Sequence, residues 1–568
     1  MKLDTQPTRT QPTRTTKLSI AIVLFATATG LLMVTPRDAF ADDGVPSQVA
    51  LINDAIEQGW RDYEIRPAPE VDDATWCRRI YLDVIGRIPT LEELHAFLDS
   101  KGSNKRAELV ELLLYDDKYT EEYANHWGTI WTNVLIGRSG GTDRRSMTSR
   151  DGMQKYLRDA FAMNKPYNTI VYELVTAEGT TKPGSDKFNG AVNFLADKVN
   201  DDNGVLATSS TSRIFLGQQV QCTQCHNHPF NQWKQQKFWE FNSFFRQTRS
   251  LRRFVSGTRD IDHAELVNED FAGEAGDASD ALIFYELRNG LTKVAYPVFT
   301  DGTEIAKSGY VSEVNRRQEL GRLMMESEFL DKMAANRIWS HFMGFGFTKP
   351  IDDLGPHNPA SHPALLEDLG KEFRKHSYDI KQLITWITLS RPYNLKAVLG
   401  PANEIDDPSI GEMPKFSRFY LRQMSAEQLY QSLVYSTNAS GGGSYEEQEQ
   451  QRRVWMQQFV IAFGTDEGDE ATTFNGSIPQ ALMMFNGDLV KNATSIKPGS
   501  FLDRLSQSGR SPRDRLTELF MAGVARRPTR DELMIASKLM AARKGDEKEM
   551  LQDMWWALLN TNEFILQH

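Results

Sequence analysis

The sequence predicts a mainly α-helical protein, with multi-helical N- and C-terminal regions and a small β module between them. Three observations carry this. Residues 42–250 and 316–568 place apolar side chains at helical spacing between recognisable caps and breakers. Residues 251–315 lose that period. Within them, "ALIFYELRNGLTKVAYPVFTDGTEI" holds two β-rich runs around Asn289-Gly290, a strong short-range hairpin signal.

Taken in order, residues 1–41 read as a signal peptide. Arg9, Arg14 and Lys17 precede the apolar run Leu18–Val34, and Ala39-Phe40-Ala41 has the small-x-small pattern of a cleavage site. The expected product is exported, to the periplasm or cell envelope, and starts near Asp42. In "IPTLEELHAFLDS", Thr90 is the expected N-cap, and Glu93, three residues on, completes a capping box. Helical spacing runs from Asn104 to Gly137, and "RDGMQKYLRDAFAMNKPYNTIVYELVTAEG" predicts two helices broken at Pro166. After the β module and its polar loop "NEDFAGEAGDASD", "RRQELGRLMMESEFLDKMAANRIWSHFMGFG" is amphipathic and ends in a Gly-rich turn. "SHPALLEDLGKEFRKHSYDIKQLITWITLS" predicts two more helices, the first capped by Ser361. Residues 438–452 read as a linker, and the chain ends in a strongly apolar helix. Pro89–Leu94 is echoed by Pro528–Leu533, one capping solution used twice.

Charge excludes some functions. The net charge is −11, with both signs mixed along the chain, which describes a solvated surface and no nucleic-acid or anionic-membrane footprint. After Val34 no segment has the length and apolarity of a membrane span, so none is expected once the signal is removed. With 3 cysteines in 568 residues the fold is not stapled by disulfides, and Cys77 in "ATWCRRIYL" reads as a buried small apolar residue.

The other two cysteines sit in "LGQQVQCTQCHNHPFNQW" as Cys222, Cys225 and His226, followed by His228. Four chemistries use such a group. In covalent haem c attachment the two thiols bond the two vinyl groups and His226 is the proximal ligand, and the attachment is completed outside the cytoplasm, in keeping with the signal peptide. Zinc is the alternative cofactor, with ligand types supplied by Cys222, Cys225, His226 and His228. The remaining readings are a disulfide and a pair of reduced, packed thiols. Trp233, Phe238, Trp239 and Phe241 are placed to shield one face of a haem. His126 in "ANHWGTIW" and Met343 in "HFMGFGF", with Met483 and Met484, are the candidates for a distal iron ligand.

Several stretches resemble a known family. "CRRIYLDVIGRIPTLEELHAFL", "HWGTIW" and "IFLGQQVQCTQCHNHPFNQWKQQKFWEFNSFF" resemble the exported planctomycete cytochrome-c-like family called domain of unknown function 1549. "ANRIWSHFMGFGFTKPIDDLGPHNPASHPALLEDLGKEF", "SRPYNL", "QALMMFNG", "ARRPTRDEL" and "WWALLNTNEFILQH" resemble its usual companion, domain of unknown function 1553. The activity of these families is largely uncharacterised. The resemblance implies an N-terminal helical family domain carrying CxxCH and a C-terminal helical companion.

Three functions follow as expectations. One is an exported haem c protein that transfers electrons or senses a redox ligand, with a redox partner or another envelope protein. Another is an exported hydrolase or carbohydrate-processing partner, because "KPIDDLGPHNPASHP" gathers Asp352, Asp353, His357 and His362 in one loop. The third is a non-catalytic envelope scaffold that presents the hairpin edge. The sequence has no G-x-S-x-G elbow, no P-loop and no zinc-protease helix.

Overall fold

The computed structural model describes residues 46–200, 202–437 and 483–568, with 447, 454–456 and 458–460 besides. The expected signal peptide and nearly all of the expected linker lie outside the described residues. Helix accounts for 54 % of the described residues and strand for 7 %, in small sheets, so the mainly α expectation holds.

Helices α1 (Ser47–Asp62), α2 (Asp73–Ile85), α3 (Leu91–Asp99), α4 (Lys105–Tyr115), α5 (Asp117–Ile136), α6 (Arg150–Ala162) and α7 (Tyr167–Thr176) form the first region. The helical stretch from Asn104 divides where Asp116 turns extended and caps α5 through Lys118 N. Pro166 caps α7, as its fixed φ and missing N–H dictate. Thr90 and Glu93 make the expected capping box. The echo is a full structural one. Thr529 and Glu532 make the same box, and in both places an arginine three residues before the Thr, Arg87 or Arg526, grips that Glu with both terminal nitrogens.

Helices α8 (Val205–Leu216) and α9 (Gln235–Asn242) lead into the β module. Strands β1 (Gly179–Thr180), β2 (Thr248–Phe254) and β3 (Ile261–Asn268) form an antiparallel sheet in the order β1-β3-β2. The module therefore starts slightly before residue 251 and borrows a strand from the first helical region. Strands β4 (Ile283–Glu286) and β5 (Thr292–Ala295) form the expected hairpin. Its turn, Arg288-Asn289-Gly290, is closed by Leu287 N–H donating to Leu291 O at 2.9 Å, with Gly290 at φ +80°.

Helices α10 (Arg316–Glu326), α11 (Glu328–Met343), α12 (Pro363–Lys375), α13 (Ile380–Leu389) and α14 (Ala426–Thr437) follow. Ser327 separates α10 from α11 and caps the second through Phe329 N. The cap of α12 corrects an expectation: the N-cap is His362, with no side-chain cap bond, and the Ser361 hydroxyl lies on the His362 ring nitrogen instead. The C-terminal apolar stretch is a helix over Glu547–Leu559, a short one over Asn562–Ile565, and a strand β7 (Leu566–Gln567) paired with β6 (Arg422–Gln423).

Helix α2 is the axis of the molecule. Every residue from Trp76 to Ile85 is buried, the charged ones included. Burying charge demands partners, and they come from the far end of the chain. Arg78 donates to Phe564 O at 2.7 Å, and Arg79 to the carbonyls of Tyr393 and Leu395. Asp83 accepts from Tyr393 Oη at 2.8 Å and from Arg422. One apolar core runs from Ile52 through α11 to Ala525, so the N- and C-terminal helical regions share a single interior. A second core joins Leu82 and Ile88 to residues 424–565. Among the described residues no helix is long and apolar enough to cross a membrane.

Candidate functional site

Helix α8 ends at Gly217, φ +62°, where a Cβ would lie 2.6 Å from Leu354 Cγ. Only glycine allows both this backbone and this approach. Gly217 O accepts from Leu354 N at 2.6 Å, and the next three residues lead to a 3₁₀ turn, Gln221–Gln224. That turn carries Cys222 and delivers Cys225 and His226.

The loop is held from beneath. Thr223 Oγ1 donates to Val220 O at 2.6 Å. Gln224 O accepts from both Gln235 Nε2 and Trp239 Nε1, each at 3.1 Å. Gln235 Nε2 also reaches Glu286 O at 2.8 Å, and Trp239 stacks on Tyr285, so the β4–β5 hairpin braces the turn. Phe238 is buried with Val205 and Val220, and Phe241 is sunk in the main core. Of the four aromatic residues expected as a shield, these two are structural, while Trp233 and Trp239 are only partly buried.

Both thiols of the motif are exposed, and no disulfide joins them. The His226 Nδ1 lies 2.6 Å from Asn227 O. A carbonyl only accepts, so Nδ1 carries the proton and Nε2 keeps its lone pair. His228 is arranged oppositely: its Nδ1 accepts from Phe230 N at 3.2 Å and Asn231 N at 3.1 Å, which puts the proton on Nε2. Phe230, at the tip of this loop, is 86 % exposed. Cys77 is wholly buried as expected, and burial pushes its thiol well above its ordinary value.

The loop singled out for acid–base chemistry lies against this one. Asp352 accepts from Arg213 at 2.6 Å and Gln219 at 3.0 Å. The His357 ring stands 6.3 Å from the His228 ring, centroid to centroid. His357 Nε2 donates to Asp353 Oδ1 at 2.9 Å, leaving Nδ1 as an acceptor. His362 does not join them. It is sunk between Phe347 and Phe416, and burial pushes its pKa down to about 4.

The other expected ligands lie elsewhere. Met343 is wholly buried in the main core. His126 packs on Trp127 and His341, and it lines a separate cavity with Gly86 and Glu427. Met484 is buried in the second core, with Met483 packed against it. Among the described residues no three His, Cys, Asp or Glu side chains are grouped as a metal-holding set. The sequence reading missed the stapling of the two loops through Arg213, Gln219 and Asp352. No local signal marks a pair more than a hundred residues apart.

Residues 51–250 match a family described as protein of unknown function (DUF1549), and residues 316–540 match a second one described as protein of unknown function (DUF1553). The CxxCH loop falls in the first match and the Asp352–His357 loop in the second. No curated protein and no solved structure matches the chain.

Proposed function

Since the chain belongs to the DUF1549 family followed by the DUF1553 family, and its CxxCH faces outward from the seam between them, we propose that it is an exported haem c protein that transfers electrons or senses a redox ligand. The observation that carries this is the state of three side chains. Cys222 and Cys225 are exposed and unpaired, and His226 has its Nδ1 proton tied to a carbonyl, with Nε2 left free.

These residues fit the group. Cys222 and Cys225 would each hold one thioether, and His226 Nε2 the iron. A hydrogen bond from the far ring nitrogen to a backbone carbonyl orients an imidazole for a metal and raises its basicity. Phe230, against the His228 ring, supplies exposed apolar surface in the same loop. A bound haem c would contribute a one-electron iron couple. The turn itself is fixed by Gln235 and Trp239, so the thiols are presented with little ordering left to do. Export rests on the reading of residues 1–41 as a signal peptide.

The test uses protein from its native host. A haem-stained denaturing gel should show colour that survives acid-acetone extraction, and Cys222→Ser with Cys225→Ser should abolish it. His226→Ala should keep the colour but alter the spectrum. Colourless protein with stoichiometric zinc would overturn the proposal.

A second reading, acid–base hydrolysis, is favoured by the Asp353–His357 contact, which sets the free His357 Nδ1 as a base opposite the His228 Nε2 proton. His357→Ala that removes an activity without moving the melting profile would place this reading first.

A further inference from the structure

A cavity of about 250 Å³ lies between the two family regions, and none of its lining belongs to the CxxCH loop or to the Asp352–His357 loop. Gly86 and His126 line one side, and Glu427 and Gln431 of α14 the other, with Glu122 and Arg150 between. It holds the space of roughly eight waters.

Two polar atoms in this lining have no partner. His126 Nε2 and Gln431 Oε1 are both buried without a hydrogen bond. His126 is partly buried, and burial first, then His341, push its pKa down to about 3, so it stays neutral. Its Nε2 has no partner, and a neutral imidazole nitrogen pairs with a hydroxyl either as donor or as acceptor. Buried polar groups are nearly always paired, and each orphan costs on the order of 1–3 kcal/mol. Two in one cavity call for an occupant that can hydrogen-bond to both.

Charge narrows the class. Glu122 is held by Arg87 and Glu427 by Arg138, and Glu93 also binds Arg87. The Arg150 guanidinium donates only to neutral partners, Gly137 O and Asn133 Oδ1. Three guanidiniums thus face three carboxylates. A ligand cation would find both lining carboxylates already taken, and an anion would meet them as like charges. A hydroxyl pairs with His126 in either sense, donates to Gln431 and accepts from Arg150 without adding charge.

We infer that this cavity is a binding site for an uncharged, hydroxyl-rich molecule the size of a single sugar residue. The inference is independent of haem attachment.

The test is saturation-transfer NMR and calorimetry on the full chain with glucose, galactose, mannose and inositol as probes. At least one should bind saturably, and Gln431→Leu or His126→Phe should weaken it about tenfold, the loss of one buried partner. Where the leucine variant does not fold, Gln431→Ala removes the same acceptor. Cys222→Ser should bind as the wild type does. The inference is overturned if none of the probes binds saturably, leaving a cavity that holds water only. It is equally overturned if binding survives both substitutions, or if glucosamine or glucuronate binds more tightly than glucose.

Discussion

Lowering the pH from 7 to 5 should loosen this fold through two histidines that it holds neutral. His126 and His341 are both partly buried at the α2–α5–α11 contact, with rings 5.9 Å apart. Burial pushes each pKa down to about 3, helped by His341 for His126 and by Arg422 for His341. The folded pKa lies below the ordinary 6.5, so the unfolded chain binds a proton that the folded chain refuses. Stability from these residues is therefore whole above pH 6.5 and is lost as pH falls from 6.5 toward 3. One pKa unit is worth 1.36 kcal/mol, so each histidine costs about 2 kcal/mol by pH 5. Trp127 lies 4.9 Å from His341, and its fluorescence reports on this contact. Urea unfolding followed by tryptophan emission at pH 7, 6 and 5 measures the slope. His126→Gln, which cannot titrate, should lose about 2 kcal/mol less than the wild type over that range. Equal losses in the two proteins would refute the assignment of neutral, buried imidazoles to this contact.

Further predictions concern the framework. Arg87→Ala should cost about 3–5 kcal/mol in chemical denaturation, because it strands Glu93 and Glu122 beside a side chain only 3 % exposed. The corresponding Arg526→Ala, 32 % exposed, should cost about 1 kcal/mol, and equal costs would show that burial is not what separates the two clamps. Gly217→Ala should destabilise by about 2–4 kcal/mol, from its left-handed backbone and the clash with Leu354, and a change under about 1 kcal/mol in urea would contradict that packing. Trp239→Phe should lower stability by about 1 kcal/mol in thermal melts through the lost bond to Gln224 O, with no effect expected if that bond is not formed.

Much of this molecule was legible in its residue order, because the deciding interactions are local. Helical spacing, the Thr90–Glu93 and Thr529–Glu532 boxes, the break at Pro166 and the turn at Asn289-Gly290 each depend on neighbours within about four residues, and each stands in the structure. The proximity of Cys222, Cys225 and His226 is likewise a matter of chain order. Ser361 failed as a cap because the neighbouring His362 ring held its hydroxyl, a competition that cap spacing does not encode. Tertiary structure alone decided which distant groups meet. It set His357 and Asp353 against the CxxCH loop while sinking His362, five residues on, among aromatic rings. It also surrounded α2 with carbonyls and a tyrosine hydroxyl from residues 393–566, so that two arginines and an aspartate lie in the core. Burial and long-range pairing depend on how elements pack in three dimensions. A single sequence records the donors and acceptors but not their partners.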